Sequence, residues 1–242
     1  MSNSNLVVYK KMSPNNSGKR QNKISRITPH CVVGQLSVET LGNLFARSST
    51  QASSNYGIGK DGRVGLYVNE SDRSWCSSSR DNDNRAVTIE CASEAKHPYK
   101  FNEAVYKTLV VLCVDICKRN GKNELLWFGD KKKTLSYDPK DDEMVLTVHR
   151  WFANKSCPGD WMMARMDDLA AEVTKQLKKE VVYRVCVGTF NKKKSAEGMK
   201  KVLSDKGYKG FVAPYKEGYT VQVGAYKKKS NAEKVVDDLK KI

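Results

Sequence analysis

Strands alternating with helices through residues 1–178, and a strand–turn–helix unit repeated from residue 183, predict a mixed α/β chain of two domains. The first, 1–178, is expected to form a central, mostly β-sheet flanked by helices. The second, 182–242, is expected to be a small α+β domain with an internal β-α repeat. A length of 242 residues suits one well-buried domain plus a small companion.

Residues 24–33 read as a strand, and Pro29 within it points to an irregular or edge position. Ser37 is placed to cap a helix carrying Val38, Leu41, Leu44 and Phe45 on one face. Residues 53–59 and 63–68 flank Lys60-Asp61-Gly62, and the Asp-Gly pair predicts a hairpin. Residues 86–91 form another strand after a polar loop at 77–85. A long helix over 102–119 buries Val105, Leu109, Leu112, Cys113 and Ile116, and Asn120-Gly121 ends it. Residues 144–149 are a strand that delivers His149 at its end. Asp160 then caps a helix running through Met163, Met166, Leu169, Val173 and Leu177 to about residue 179.

The pattern changes from Tyr183. Residues 183–190 (YRVCVGTF) align with 219–226 (YTVQVGAY), Ala196-Glu197 with Ala232-Glu233, and Leu203 with Leu239. With a further strand at 210–215, the region reads as a compact β-α-β-β-α domain. Its boundary falls near 178–181, with almost no linker.

Forty-three basic against 27 acidic residues give a net charge of +16, which calls for a polyanionic partner or surface. Nucleic acid and the anionic polymers of a bacterial wall are the two candidates. About +9 lies in the last sixty or so residues, with lysine runs at 192–194 and 227–229, although such runs read first as a solvated face. Arg184 is the lone arginine there, so a reader of base edges is missing and no specific nucleic-acid partner is expected. No window approaches the ~18 apolar residues of a membrane span. Met1-Ser2-Asn3-Ser4-Asn5 lacks the basic-then-apolar pattern of a secretory signal, so cytoplasmic synthesis without a signal peptide is expected. Seven cysteines without a repeating spacing argue for reduced thiols, one of them a metal-ligand candidate, rather than a disulfide framework. Cys113 and Cys117 read as buried small hydrophobes on a helix face.

The chain has three histidines. His149 precedes Cys157 by eight residues, in the segment Lys155-Ser156-Cys157-Pro158-Gly159, and His30 lies on a strand. Two imidazoles and a thiolate suffice to hold zinc while leaving a fourth position for water, which is the plan of a hydrolytic rather than a structural centre. Lys155 adds a fixed positive charge beside the thiol, and Glu90 adds a strand-borne carboxylate. His97, in a loop before Pro98, reads as an ordinary hydrogen-bonded histidine.

These residues lie in segments that resemble type 2 N-acetylmuramoyl-L-alanine amidases, the family that includes phage lysozyme-like amidases and peptidoglycan recognition proteins. The matching pieces, in family order, are Ile27-Thr28-Pro29-His30, residues 55–62 (NYGIGKDG), Asp72-Arg73-Ser74-Trp75, residues 84–90 (NRAVTIE) and residues 149–159. They cover most of the first ~175 residues. The resemblance implies that His30, His149 and Cys157 ligate Zn2+, and that water attacks the amide between the muramyl lactyl group and L-alanine. It implies Glu90 as general base and Lys155 as the partner of the oxyanion. Other relatives use a tyrosine near Asn55-Tyr56, where this chain offers Ser54 and Tyr56, so the proton carrier stays open between Glu90 and a tyrosine.

The repeat region resembles a SPOR domain, a module that binds peptidoglycan glycan strands, and the combination resembles a modular phage endolysin or autolysin. The implied partner is peptidoglycan, with its stem peptide in the catalytic groove and its glycan on the C-terminal domain. Neither membrane insertion nor a particular oligomeric state is implied. Tyr183, Phe190, Tyr215, Tyr219 and Tyr226 divide between core residues and sugar platforms. The alternative function is a non-catalytic recognition module, as some relatives are sensors, but those typically lose the cysteine ligand. Three departures stand out. Cys31 follows His30 where many relatives have histidine or threonine, and Cys76 replaces a histidine common after the tryptophan. The chain also stops at Ile242, before the final strand expected of a SPOR domain, leaving an edge uncovered or satisfied by a partner chain or a second copy.

Overall fold

The computed structural model describes residues 2–178 and 182–241, which group into two units, Met1–Lys178 and Lys179–Ile242. The expected boundary near 178–181 falls largely on residues 179–181, outside the described residues.

In the first unit the strands are β1 (Val7–Lys10), β2 (Asn16–Lys19), β3 (Arg26–Cys31), β4 (Tyr56–Ile58), β5 (Val64–Leu66), β6 (Asp72–Ser74), β7 (Ala86–Cys91), β8 (Glu124–Leu126) and β9 (Glu143–Leu146). The helices are α1 (Val38–Phe45), α2 (Arg80–Arg85), α3 (Glu103–Arg119), α4 (Lys131–Ser136), α5 (Asp160–Met163) and α6 (Met166–Leu177). Seven strands make one sheet in the order β1-β5-β4-β7-β3-β9-β8, parallel except for the β4–β5 hairpin, while β2 and β6 pair separately.

Side-chain alternation splits the central strands into two chemistries. Ile27, Val87, Ile89, Tyr56 and Ile58 join one core with Val105, Leu109, Leu112, Cys113 and Ile116 of α3 and Met166, Leu169 and Val173 of α6. The intervening residues Thr28, His30, Thr88 and Glu90 are polar and face the other way, toward the side where α1 packs Leu41 and Phe45 on Tyr67. This polar face is internally bonded. Thr28 Oγ1 lies 2.7 Å from Thr147 Oγ1, and Asn82 bridges both hydroxyls at 3.0 Å. Asn55 accepts from the Thr88 amide at 3.1 Å, and its own amide donates to Thr88 Oγ1.

The sequence expectations need correction at several points. Pro29 lies in the sheet interior, because the β3–β9 ladder ends at Ile27↔Leu146 and no bond to β9 is asked of its nitrogen. The segment 77–85 is not all loop: Ser79 caps α2, accepting from the Asn82 amide at 3.3 Å. β9 stops at Leu146, and His149 opens a short 3-10 turn, His149–Trp151. Leu44 is 40% exposed, off the buried face of α1. Gly159, not Asp160, is the cap residue before α5, and the expected single helix breaks at Ala164–Arg165. The break has a local cause. The Trp161 carbonyl accepts the Arg165 guanidinium at 3.1 Å, and the Arg165 amide bonds one residue closer, to Met162. Met162 is fully buried, and Met163 only half-buried.

The second unit comprises β10 (Tyr183–Phe190), α7 (Lys193–Asp205), β11 (Phe211–Tyr215), β12 (Gly218–Tyr226) and α8 (Lys229–Leu239). Its antiparallel sheet has the order β10-β12-β11. Ala196, Leu203 and Val221 are the buried centre, with Val187, Phe190, Tyr219 and Leu239 packed around them. Phe190 and Tyr219 thus serve the core, while Tyr215 is 44% exposed on β11. The lysine runs extend into the helices, where Lys193 and Lys229 are the first residues of α7 and α8.

No helix among the described residues is long and apolar enough to cross a membrane. Leu112→Ala, inside the α3 core, is expected to cost about 2–5 kcal/mol in a denaturant titration. Val111→Ala, at an exposed neighbouring position, is expected to stay within about 0.5 kcal/mol.

Candidate metal centre

Parallel pairing puts His30 directly beside Glu90, on the polar face and near the C-terminal ends of their strands. His149 arrives from beyond β9, and its ring centroid lies 5.0 Å from that of His30. Cys157 comes from the loop that follows. The Arg150 amide donates to the Cys157 carbonyl at 3.1 Å, which closes this loop on itself. Gly159 has φ +90° and lies against Pro98, where a Cβ would come within 2.8 Å of the Pro98 carbonyl. Only glycine suits that turn.

The result is a tight donor group: one ligand atom from each of His30, His149 and Cys157, all within 4.8 Å of one another. Cys157 Sγ is 3.3 Å from His30 Nδ1 and accepts from the Cys31 amide at 3.4 Å. Tetrahedral zinc with ordinary Zn–N and Zn–S bonds separates its donors by roughly 3.3–3.6 Å. His30 is buried, and burial, followed by the neighbouring His149, holds its pKa well below the usual histidine value. Burial and Lys155 likewise lower that of His149. Both rings are therefore neutral, as a ligand must be. Contact with the Cys31 thiol, then burial, pushes the Cys157 thiol up, so it holds its proton until a cation displaces it. These residues fit a zinc ion.

Glu90 Oε1 stands 4.0 Å from His30 Nδ1 and 3.8 Å from Cys76 Sγ. Its other oxygen is buried without a hydrogen-bond partner, as is His30 Nε2. Burial pushes the Glu90 carboxyl up to about 7. Lys155 is exposed at the rim of a cavity of about 320 Å3 that Glu90, His149, Cys157, Cys31 and Tyr99 also line.

Tyr56 is elsewhere. It pairs with Ile89, faces the α3 core, donates to Glu70 at 2.7 Å and accepts from the Ser4 amide at 2.9 Å. The Ser54 hydroxyl donates to the Tyr56 carbonyl. The tyrosine at the cavity is Tyr99, held in a left-handed conformation in the loop after β7. Sequence reasoning missed it, and also missed Ser78, whose hydroxyl lies 3.1 Å from His149 Nε2. Both sit in loops without periodicity, where only folding reveals proximity. His97 is outside the donor group and pairs with Asp160 at 2.7 Å.

The Glu90 shift has a measurable cost in the metal-free protein. Its folded pKa of about 7 lies above the 4.5 of an ordinary glutamate, so between those values the unfolded chain has lost a proton that the folded chain keeps. Stability contributed at this position therefore falls as pH rises from about 4.5 to 7. Above pH 7 the full loss is on the order of 3 kcal/mol. Glu90→Gln is expected to stabilise the metal-free protein at pH 8 and to have little effect at pH 4. Urea titrations at the two pH values check this.

A family model described as N-acetylmuramoyl-L-alanine amidase matches residues 20–160, and a SPOR domain model matches residues 215–242. No curated protein matches the chain. Among solved structures, the chain is similar to the Staphylococcus aureus hydrolase AmiA in complex with its ligand. The identity is 11%, over 70% of this chain and 82% of that chain, with a TM-score of 0.50, a likeness of fold. It is also similar to a Se-Met AmpD derivative (17% identity, 70% of this chain and 99% of that chain, TM-score 0.49). A third is the amidase LysC from Clostridium intestinale URNW (12% identity, 68% and 96%, TM-score 0.46). Since the amidase model spans more than half of its residues, the protein belongs to the N-acetylmuramoyl-L-alanine amidase family, with a SPOR domain toward its C-terminal end.

Proposed function

We propose that the protein is a zinc-dependent hydrolase of bacterial peptidoglycan that cleaves the amide between N-acetylmuramic acid and L-alanine. Residues 1–178 would be the catalytic domain and 182–242 the wall-binding domain. The observation that carries this reading is the convergence of His30, His149 and Cys157 beside the carboxylate of Glu90.

His30, His149 and Cys157 would hold the zinc ion. When bound, zinc supplies a Lewis acid that polarises the scissile carbonyl and acidifies water. Glu90, ionised, takes the proton of the attacking water and passes it to the departing L-alanine amine. Its position on a rigid strand fixes the direction of that transfer. Lys155, on the rim, donates to the oxygen on which negative charge develops. The cavity accepts the stem peptide, and the second domain holds the glycan strand, with the lysine-rich helix starts favouring an anionic wall.

A recognition module without catalysis is the second reading, and the presence of Cys157 with Glu90 and Lys155 speaks against it. Purified protein incubated with peptidoglycan is expected to release new amino termini on L-alanine, read by mass spectrometry, with no new reducing ends. Reducing ends would mean a glycosidase, and no release with under about half an equivalent of zinc per chain would mean a sensor. A chelator or Cys157→Ala is expected to bring release to background. Glu90→Gln is expected to lower kcat roughly 10²–10⁴-fold, and Lys155→Met roughly 10²–10³-fold.

A further inference from the structure

Cys76 has no part in the reaction just described, yet it lies on the same polar face. We propose that His30, Cys76 and Glu90 form a second seat for a thiophilic divalent cation, overlapping the first and excluding its use. The inference rests on the preceding reading of His30, His149 and Cys157 as the first seat.

The donor atoms of His30, Cys76 and Glu90 also lie within 4.8 Å of one another. The separations of 3.8 Å for Cys76 to Glu90 and 4.0 Å for Glu90 to His30 exceed the roughly 3.3–3.6 Å of a tetrahedral zinc site by only a few tenths of an ångström. Glu90 Oε2 is buried and without a partner, an arrangement that costs free energy until a donor or cation meets it. The thiol is held in place by its backbone. Asp83 accepts from the amides of Cys76 and Ser77, both at 3.1 Å, and so fixes the loop that carries the sulfur. Imidazole, thiolate and carboxylate together form a zinc-type donor set, and binding would release the Cys76 proton to solvent.

Both seats require His30. A neutral imidazole offers one lone pair, since its other nitrogen carries the proton. One cation therefore has two alternative positions. In the first it leaves Glu90 free to move a proton. In the second it takes the Glu90 carboxylate as a ligand and leaves His149 and Cys157 unused, so the chain is metal-bound and inert. Loss of the Cys157 thiol shifts the cation to the second seat instead of releasing it.

The test is cobalt substitution in the full-length chain carrying Cys31→Ser and Cys157→Ser, which removes both other thiols at the site. This chain is expected to bind one equivalent of Co2+ with a thiolate-to-cobalt charge-transfer absorption and to show no amidase activity. Adding Cys76→Ser is expected to abolish the absorption. Its absence before that change, or its persistence after it, overturns the second seat. The unaltered chain tests the first seat separately: a missing thiolate absorption there sinks the catalytic centre itself. If the serine variants fail to fold, His149→Ala gives a parallel comparison. There Cys76→Ser is expected to weaken cobalt binding at least tenfold, and equal affinities overturn the proposal.

Discussion

The register of two adjacent parallel strands governs this molecule. β3 and β7 pair residue for residue from Arg26↔Ala86 to Cys31↔Cys91. Every second pair, Ile27↔Val87 and Pro29↔Ile89, turns toward α3 and α6, and the pairs between, Thr28↔Thr88 and His30↔Glu90, turn toward the site. One pairing therefore builds an apolar core and a polar centre back to back. The core makes the strands rigid, and that rigidity lets a histidine and a carboxylate be held side by side without a loop to blur them.

Burying so many polar groups beneath the site is tolerable only because they satisfy one another. Thr28, Thr147 and Asn82 close one ring of bonds, and Asn55, Thr88 and Ser74 form a second group. Asp83 then ties the loop bearing Cys76 and Ser78 to the same layer. Among the described residues three buried side-chain atoms lack a partner: Glu90 Oε2 and His30 Nε2, which belong to residues assigned to chemistry, and Arg150 Nε, next in sequence to His149.

Long, periodic segments were legible from sequence. The α3 stripe, the residues of β7, the 60–62 turn and the duplicated strand–helix unit all follow from spacing and turn chemistry. Strands of three or four residues, such as β1, β6 and β8, carry too few alternations to announce themselves, and are defined by the neighbour they pair with. The helix break after Met163 was invisible because it depends on where one arginine side chain folds back. At the site, the three residues that converge, His30, His149 and Cys157, stood out by type and spacing. Tyr99 and Ser78 did not, since their positions depend on loops whose left-handed residues are stabilised only by the finished fold.

The back-to-back arrangement of β3 and β7 also sets how the chain can drift. Side chains can be exchanged one at a time, because each face tolerates its own kind. Length changes are different. An insertion or deletion of one residue that carried into β7 would rotate Glu90 into the α3 core and bring Ile89 to the site, and so exchange the two faces at a stroke. Segments before β7, such as α2 and the loop around Cys76, can therefore vary in length only if the change is absorbed before Ala86. The reading frame of the sheet is thus fixed by geometry, independently of which side chain each face carries.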